Sequence, residues 1–123
     1  LKVNDFYNMR KRGRKGEVTA IRYLEKDDYE ILAHNFWSRT GEIDIVAVKD
    51  KVLHFIEVKT WSRYGIQDLE YSITLEKQRR IVETSKYFLF KNKHLQGMPI
   101  RYDVIFINGL NLSHIKDAFT GDY

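Results

Sequence analysis

The chain has 123 residues, 43% apolar and 14% aromatic, which suits one folded domain and argues against wholesale disorder. It has no cysteine, so disulfide scaffolds, thiolate zinc sites and cysteine nucleophiles are excluded. Lys and Arg number 21 against 17 Asp and Glu, a mild excess of +4 that names no partner by itself.

The longest apolar runs, such as residues 87–90, are far too short to span a bilayer, so no membrane partner is expected. The opening residues lack an export-signal pattern, and Leu1 in place of methionine suggests a trimmed start. The lack of cysteine suits a reducing compartment, so the expected location is cytoplasmic.

The first predicted element is a helix over residues 14–27, with Ala20, Ile21 and Leu24 on one face and Val18 at its edge. Before it stands a basic arm, residues 1–13. Arg10, Lys11, Arg12, Arg14 and Lys15 put five positive charges into six positions. Residues 29–37 read as a strand, and Arg39-Thr40-Gly41 as a turn. Residues 43–48 and 52–60 are β-rich and read as a hairpin of two mostly buried strands. A looser segment, 61–73, surrounds Gly65.

A second helix is predicted over residues 75–91, capped by Thr74 and with Glu76 in its first turn. Its apolar face carries Leu75, Ile81, Val82, Phe88 and Leu89. A second basic cluster runs along it: Lys77, Arg79, Arg80, Lys86, Lys91 and Lys93, partly offset by Glu76 and Glu83. Such clusters attract phosphate by counterion release, or are simply solvated faces. A strand over 100–107, a turn at Asn108-Gly109 and a short last element at 112–119 complete a mixed α/β domain.

Three charges sit where a buried strand rarely carries any. Asp44 interrupts the first hairpin strand; Glu57 and Lys59 interrupt the second. Period-two alternation puts Glu57 and Lys59 on one face. A two-residue loop at Asp50-Lys51 would set Asp44 directly opposite Glu57, and one at Lys49-Asp50 would set it diagonal on the same face. Adjacent carboxylates repel unless a proton or a cation lies between them. A hard divalent ion would satisfy them through oxygen ligands. A structural Asp–Lys–Glu ion pair near a sheet edge accounts for the same pattern.

Glu17 falls beside the buried face of the first helix and Gln78 on the apolar face of the second. Together these five residues suggest metal-dependent phosphodiester hydrolysis. Asp44 and Glu57 would bridge the cation, with Glu17 completing its shell. Lys59 would orient or deprotonate water, and Gln78 would orient water or touch the scissile backbone. Arg10, Lys11, Arg12, Arg14, Lys15, Lys77, Arg79 and Arg80 would hold the flanking DNA. The four histidines are too scattered for a metal pair, and neither a Walker loop nor a nucleophile elbow appears.

An Asp, twelve residues, then Glu-x-Lys resembles the PD-(D/E)xK core of restriction-endonuclease-like nucleases. A longer match is to the YraN-like family. It is carried by Gly16-Glu17-x-x-Ala20, Asn35, Gly41-Glu42-Ile43-Asp44-Ile45-Val46-Ala47, Phe55-Ile56-Glu57-Val58-Lys59-Thr60, Lys77-Gln78-Arg79-Arg80-Ile81 and Arg101-Tyr102-Asp103-Val104. Ser85 stands where a small apolar residue is usual, and residues 66–70 depart from the family pattern.

The resemblance implies one nuclease-like domain, with a central mixed sheet flanked by helices as in archaeal Holliday-junction resolvases. It implies Asp44, Glu57 and Lys59 as the catalytic set, Glu17 as a fourth member, and magnesium or manganese as cofactor. The leading expectation is a DNA endonuclease, acting on branched or other non-duplex DNA by analogy with resolvases. The alternative is a non-catalytic nucleic-acid-binding module that keeps the nuclease fold; a third reading is a protein-interaction domain. A homodimer would suit cutting of two strands.

Overall fold

The computed structural model describes residues 15–60, 73–109 and 111–121. Arg10, Lys11, Arg12 and Arg14, and residues 61–72, lie outside them. The element order is α1 (Lys15–Lys26), β1 (Glu30–Ser38), β2 (Gly41–Lys49), β3 (Val52–Thr60), α2 (Leu75–Lys91), a short 3-10 turn (Lys93–Leu95), β4 (Ile100–Asn108) and β5 (Asn111–Phe119). Among the described residues no helix is long and apolar enough to cross a membrane.

The five strands form one mixed sheet in the order β1-β2-β3-β4-β5. All neighbours are antiparallel except β3 and β4, which are parallel. Parallel neighbours need a long crossover, and α2 lies on the chain between them. Of the two expected hairpin registers the structure takes the first. Lys49 pairs with Val52, so the loop is Asp50-Lys51, and both residues have positive φ, 50° and 64°. That pair of left-handed residues matches the right-handed twist of the strands it joins.

Alternate residues of the central strands enter different cores. Ile45, Ala47, Ile56, Ile105 and Ile107 pack with Ala20, Ile21 and Leu24 of α1. Val46, Leu53, Phe55 and Tyr102 pack with Ile81, Val82 and Phe88 of α2. The helices therefore cover opposite faces of the sheet, in three layers. The alternation fails across Asp44, since Ile43 joins the α2 core while Ile45 joins the α1 core.

The expected face of α2 needs one correction. Leu75 is 51% exposed, whereas Thr84 and Ser85 are buried. Lys77 contacts Glu57 of the sheet, and residues two apart on a helix lie about 200° around its axis, so Leu75 is turned away. Ser85 earns its buried place by donating to the Val82 carbonyl at 2.6 Å and bonding the Tyr102 hydroxyl at 2.8 Å. The expected last element is a full nine-residue strand, β5.

Candidate active site

The site lies where β2 and β3 stop pairing. Their ladder runs from Lys49↔Val52 to Ile45↔Ile56. One position further, Asp44 stands opposite Glu57, and the Val58 amide donates to Asp44 Oδ2 at 2.8 Å. Asn35 falls opposite Asp44 on the other side, between the pairs His34↔Ile45 and Phe36↔Ile43, and is left-handed at φ 52°. Both neighbouring strands thus depart from regular pairing at Asp44, and its carboxylate takes the Val58 amide.

Two anchors bring other groups to this point. The start of α1 lies against the end of β3: a methyl group added at Gly16 would meet Thr60 Cγ2 at 2.6 Å. That close approach carries Glu17, which is buried, to the mouth of the hairpin. The β1–β2 turn is tied to α2 by Thr40 Oγ1 and Thr84 Oγ1, 2.8 Å apart, and Thr84 donates to the Arg80 carbonyl at 2.8 Å.

The result is a cleft of about 550 Å³ whose lining includes Glu17, Glu42, Asp44, Glu57, Lys59 and Lys77, with Arg80 at its wall. Carboxylate oxygens of Glu17, Glu42 and Asp44 lie within 4.8 Å of one another. Glu57 shares a hydrogen bond with Asp44 and forms an ion pair with Lys77.

The electrostatics follow from burying like charges together. Burial pushes Asp44 up to about 6, against the hydrogen bonds from Glu57 and the Val58 amide, with Glu17 adding to the rise. Burial, then the charge of Asp44 and the hydrogen bond to it, push Glu57 up to about 8 despite Lys77. Burial, and next the Lys77 ammonium, lower Lys59 below the ordinary lysine value. Burial opposes the charge on Lys77 as well, but Glu57 outweighs it and holds that amine above its ordinary value. The donor set is all oxygen, and three of its carboxylates lie close enough together to share one ion, which fits a hard divalent cation.

Of the residues read from sequence, Glu17, Asp44, Glu57 and Lys59 meet in the cleft. Gln78 is not among its lining residues; its amide donates to the Ile73 carbonyl at 3.2 Å, at the start of α2. Arg79 and Arg80 are exposed on α2, and Lys15 opens α1. Lys77, expected on the nucleic-acid face, lies inside the cleft instead. Sequence reasoning missed Glu42: alternation fails between it and Ile45, and only the folded strand brings it to Glu17 and Asp44.

A separate buried network occupies the other end of β3. Asp103 Oδ2 accepts from His54 Nδ1 at 2.7 Å and from His114 Nε2 at 2.8 Å, and Asp103 Oδ1 accepts from the Asp117 amide at 2.9 Å. Burial alone would raise this carboxyl, but the hydrogen bonds win and pull it down to about 2.

A fold of this topology with an acidic, lysine-bearing cleft at a hairpin mouth defines an α/β protein with a candidate metal-binding centre. The family model described as uncharacterised protein family UPF0102 matches residues 16–107, and the chain belongs to that family, the YraN-like one. Relatives similar over nearly their whole length include UPF0102 proteins of Persephonella marina and Treponema denticola. The first is 39% identical over 91% of this chain and 96% of the relative. The second is 41% identical over 90% and 96%. A third, from Clostridium perfringens, is 43% identical over 85% of this chain and 89% of its own length.

Proposed function

We propose that this chain is a divalent-metal-dependent DNA endonuclease of the PD-(D/E)xK type, with a resolvase-like fold and a preference for branched or other non-duplex DNA. The observation that carries the proposal is the meeting of Asp44, Glu57 and Lys59 with Glu17 and Glu42 in one cleft.

Magnesium or manganese, when bound, would supply positive charge at a phosphate oxygen and acidify a water. Glu17, Glu42 and Asp44 would hold the ion, and Glu57 would join them on release from Lys77. The Lys59 amine, with its lowered proton affinity, is suited to orient the attacking water and take its proton at Nζ. Lys77 and Arg80, both lining the cleft, would hold the charge that builds on the phosphate. Arg79 and the remaining basic residues would grip flanking phosphates.

The test is cleavage of labelled single strands, duplexes, flaps and four-way junctions with manganese, magnesium or chelator. Wild type should cut only with metal, and Glu57→Ala purified identically should not. Undiminished cutting by Glu57→Ala sinks the role given to that residue.

One observation favours a second reading. The Lys77 ammonium already pairs with Glu57 without any metal, an arrangement that a non-catalytic nucleic-acid-binding module would keep. That reading predicts salt-sensitive DNA binding with no cleavage under any metal.

A further inference from the structure

Beside the acidic cleft lies a second hollow, of about 690 Å³, with a different chemistry. Its walls are the end of β1 and the C-terminal half of α2. The two hollows share the run Trp37, Ser38, Arg39 and Thr40, so one opens beside the other.

The second hollow is aromatic and basic. Trp37 is 71% exposed and Tyr87 41% exposed. Phe36 lies 6.0 Å from Tyr87 between ring centroids, and the exposed Phe90 stacks on Tyr87 at 6.5 Å and 22°. Lys91 Nζ sits 5.5 Å from the Tyr87 ring centroid. Arg39, Lys86 and Lys91 line the hollow against one carboxylate, Glu83, which Lys86 neutralises at 3.1 Å. Exposed rings in such number mark a contact surface, because an apolar ring left in water contributes nothing to the fold.

We propose that this hollow is a stacking site for unpaired DNA bases next to the scissile phosphate, with Trp37 and Tyr87 as the ring platforms. The polymer's identity rests on the nuclease reading above. Every nucleobase has a π-face, so stacking on these rings is tolerant of sequence, and the cations take the phosphates between bases. In an intact duplex those faces are already stacked on neighbouring base pairs. The surface therefore selects strands with unpaired bases, and the shared wall at Trp37–Thr40 leads the strand into the cleft.

The test uses Trp37 as its own reporter. The chain has two tryptophans, so Trp61→Phe leaves Trp37 alone. Its emission is followed in chelator, without cutting, as oligothymidylate or a blunt duplex of equal length is added. Oligothymidylate should quench it to saturation and the duplex should not. By anisotropy, Trp37→Ala should weaken oligothymidylate binding by about tenfold, the loss of one base–ring stack. Trp37 is exposed, so this variant should keep the wild-type melting temperature. Tyr87→Ala is the second variant and should weaken binding likewise.

Equal quenching by duplex, no quenching, or wild-type binding by both variants overturns the proposal. So does a Trp37 emission that changes with protein concentration alone while the mass doubles, since a second copy then covers the surface. Quenching by single strands without any metal-dependent cutting would leave this site standing and remove the nuclease reading. Cutting of blunt duplex at equal rates by wild type and Trp37→Ala would do the reverse.

Discussion

The cleft concentrates four carboxylates, and its proton affinity should be readable as stability. A carboxyl whose folded pKa is raised is favoured by folding only while protonated. Its contribution is full below the unfolded value and is lost as pH rises through the folded value. For Glu57 the window runs from 4.5 to about 8, and for Asp44 from 3.8 to about 6. Raising Glu57 that far corresponds to roughly 5 kcal/mol, and Asp44 to roughly 3. One shared proton serves both groups, so we take roughly 3 kcal/mol lost between pH 5 and pH 8.5 in chelator. A divalent ion should restore it, because it replaces the proton. At 100 times its dissociation constant the ion adds about 2.7 kcal/mol. For a domain of this size that is a rise of roughly 10 °C. The assay is thermal melting at pH 5.5 and pH 8, with manganese or chelator, for wild type and Asp44→Asn. Wild type should gain more from manganese at pH 8 than at pH 5.5, and Asp44→Asn should gain little at either. In chelator at pH 8, Asp44→Asn should be as stable as wild type or more so, since it removes a repelled charge. A manganese shift that is equal in Asp44→Asn, or larger at acid pH, would show that these carboxylates do not hold the ion.

Lys77 lowers the Glu57 pKa in the protein without metal, so Lys77→Met should steepen the stability loss above pH 6 and enlarge the manganese shift; melting curves across pH check both. Asp103→Ala leaves His54, His114 and the Asp117 amide without their acceptor and should cost about 3–5 kcal/mol in urea unfolding; a loss below about 1 kcal/mol would contradict it. The Asp103 contribution has the opposite sign to that of Glu57: it is present above pH 3.8 and lost as pH falls toward 2. Gly16→Ala forces a methyl against Thr60 and should cost about 1–2 kcal/mol while shifting Glu17. Weaker manganese binding in calorimetry, with the fold retained, is the expected sign.

Much of the site could be read from the chain because it is local. Either short loop puts Asp44 on the face of Glu57, and the structure uses Asp50-Lys51. Alternation then assigns Lys59. Glu42 escapes that rule, because the alternation breaks at Asp44. What the chain did not show depends on packing between distant elements. Lys77 reads as one more surface cation until α2 is laid on the sheet and its first turn meets Glu57. The exposed side of Leu75 follows from that same rotation. The His54–Asp103–His114 network needs the parallel pairing of β3 with β4 and the antiparallel pairing of β4 with β5 together. No periodicity in one strand contains that information. The aromatic hollow likewise joins β1 to the far end of α2.

If the carboxylate cleft hydrolyses phosphodiester bonds as proposed, water supplies the new oxygen of the product. The most direct measurement is cleavage of a flap or four-way junction DNA in oxygen-18 water, with product masses read by mass spectrometry. Heavy oxygen should enter the new terminal phosphate only with magnesium or manganese present and only with Glu57 and Lys59 intact. No cleavage of any DNA structure, or the same labelled product from Glu57→Ala, would contradict it.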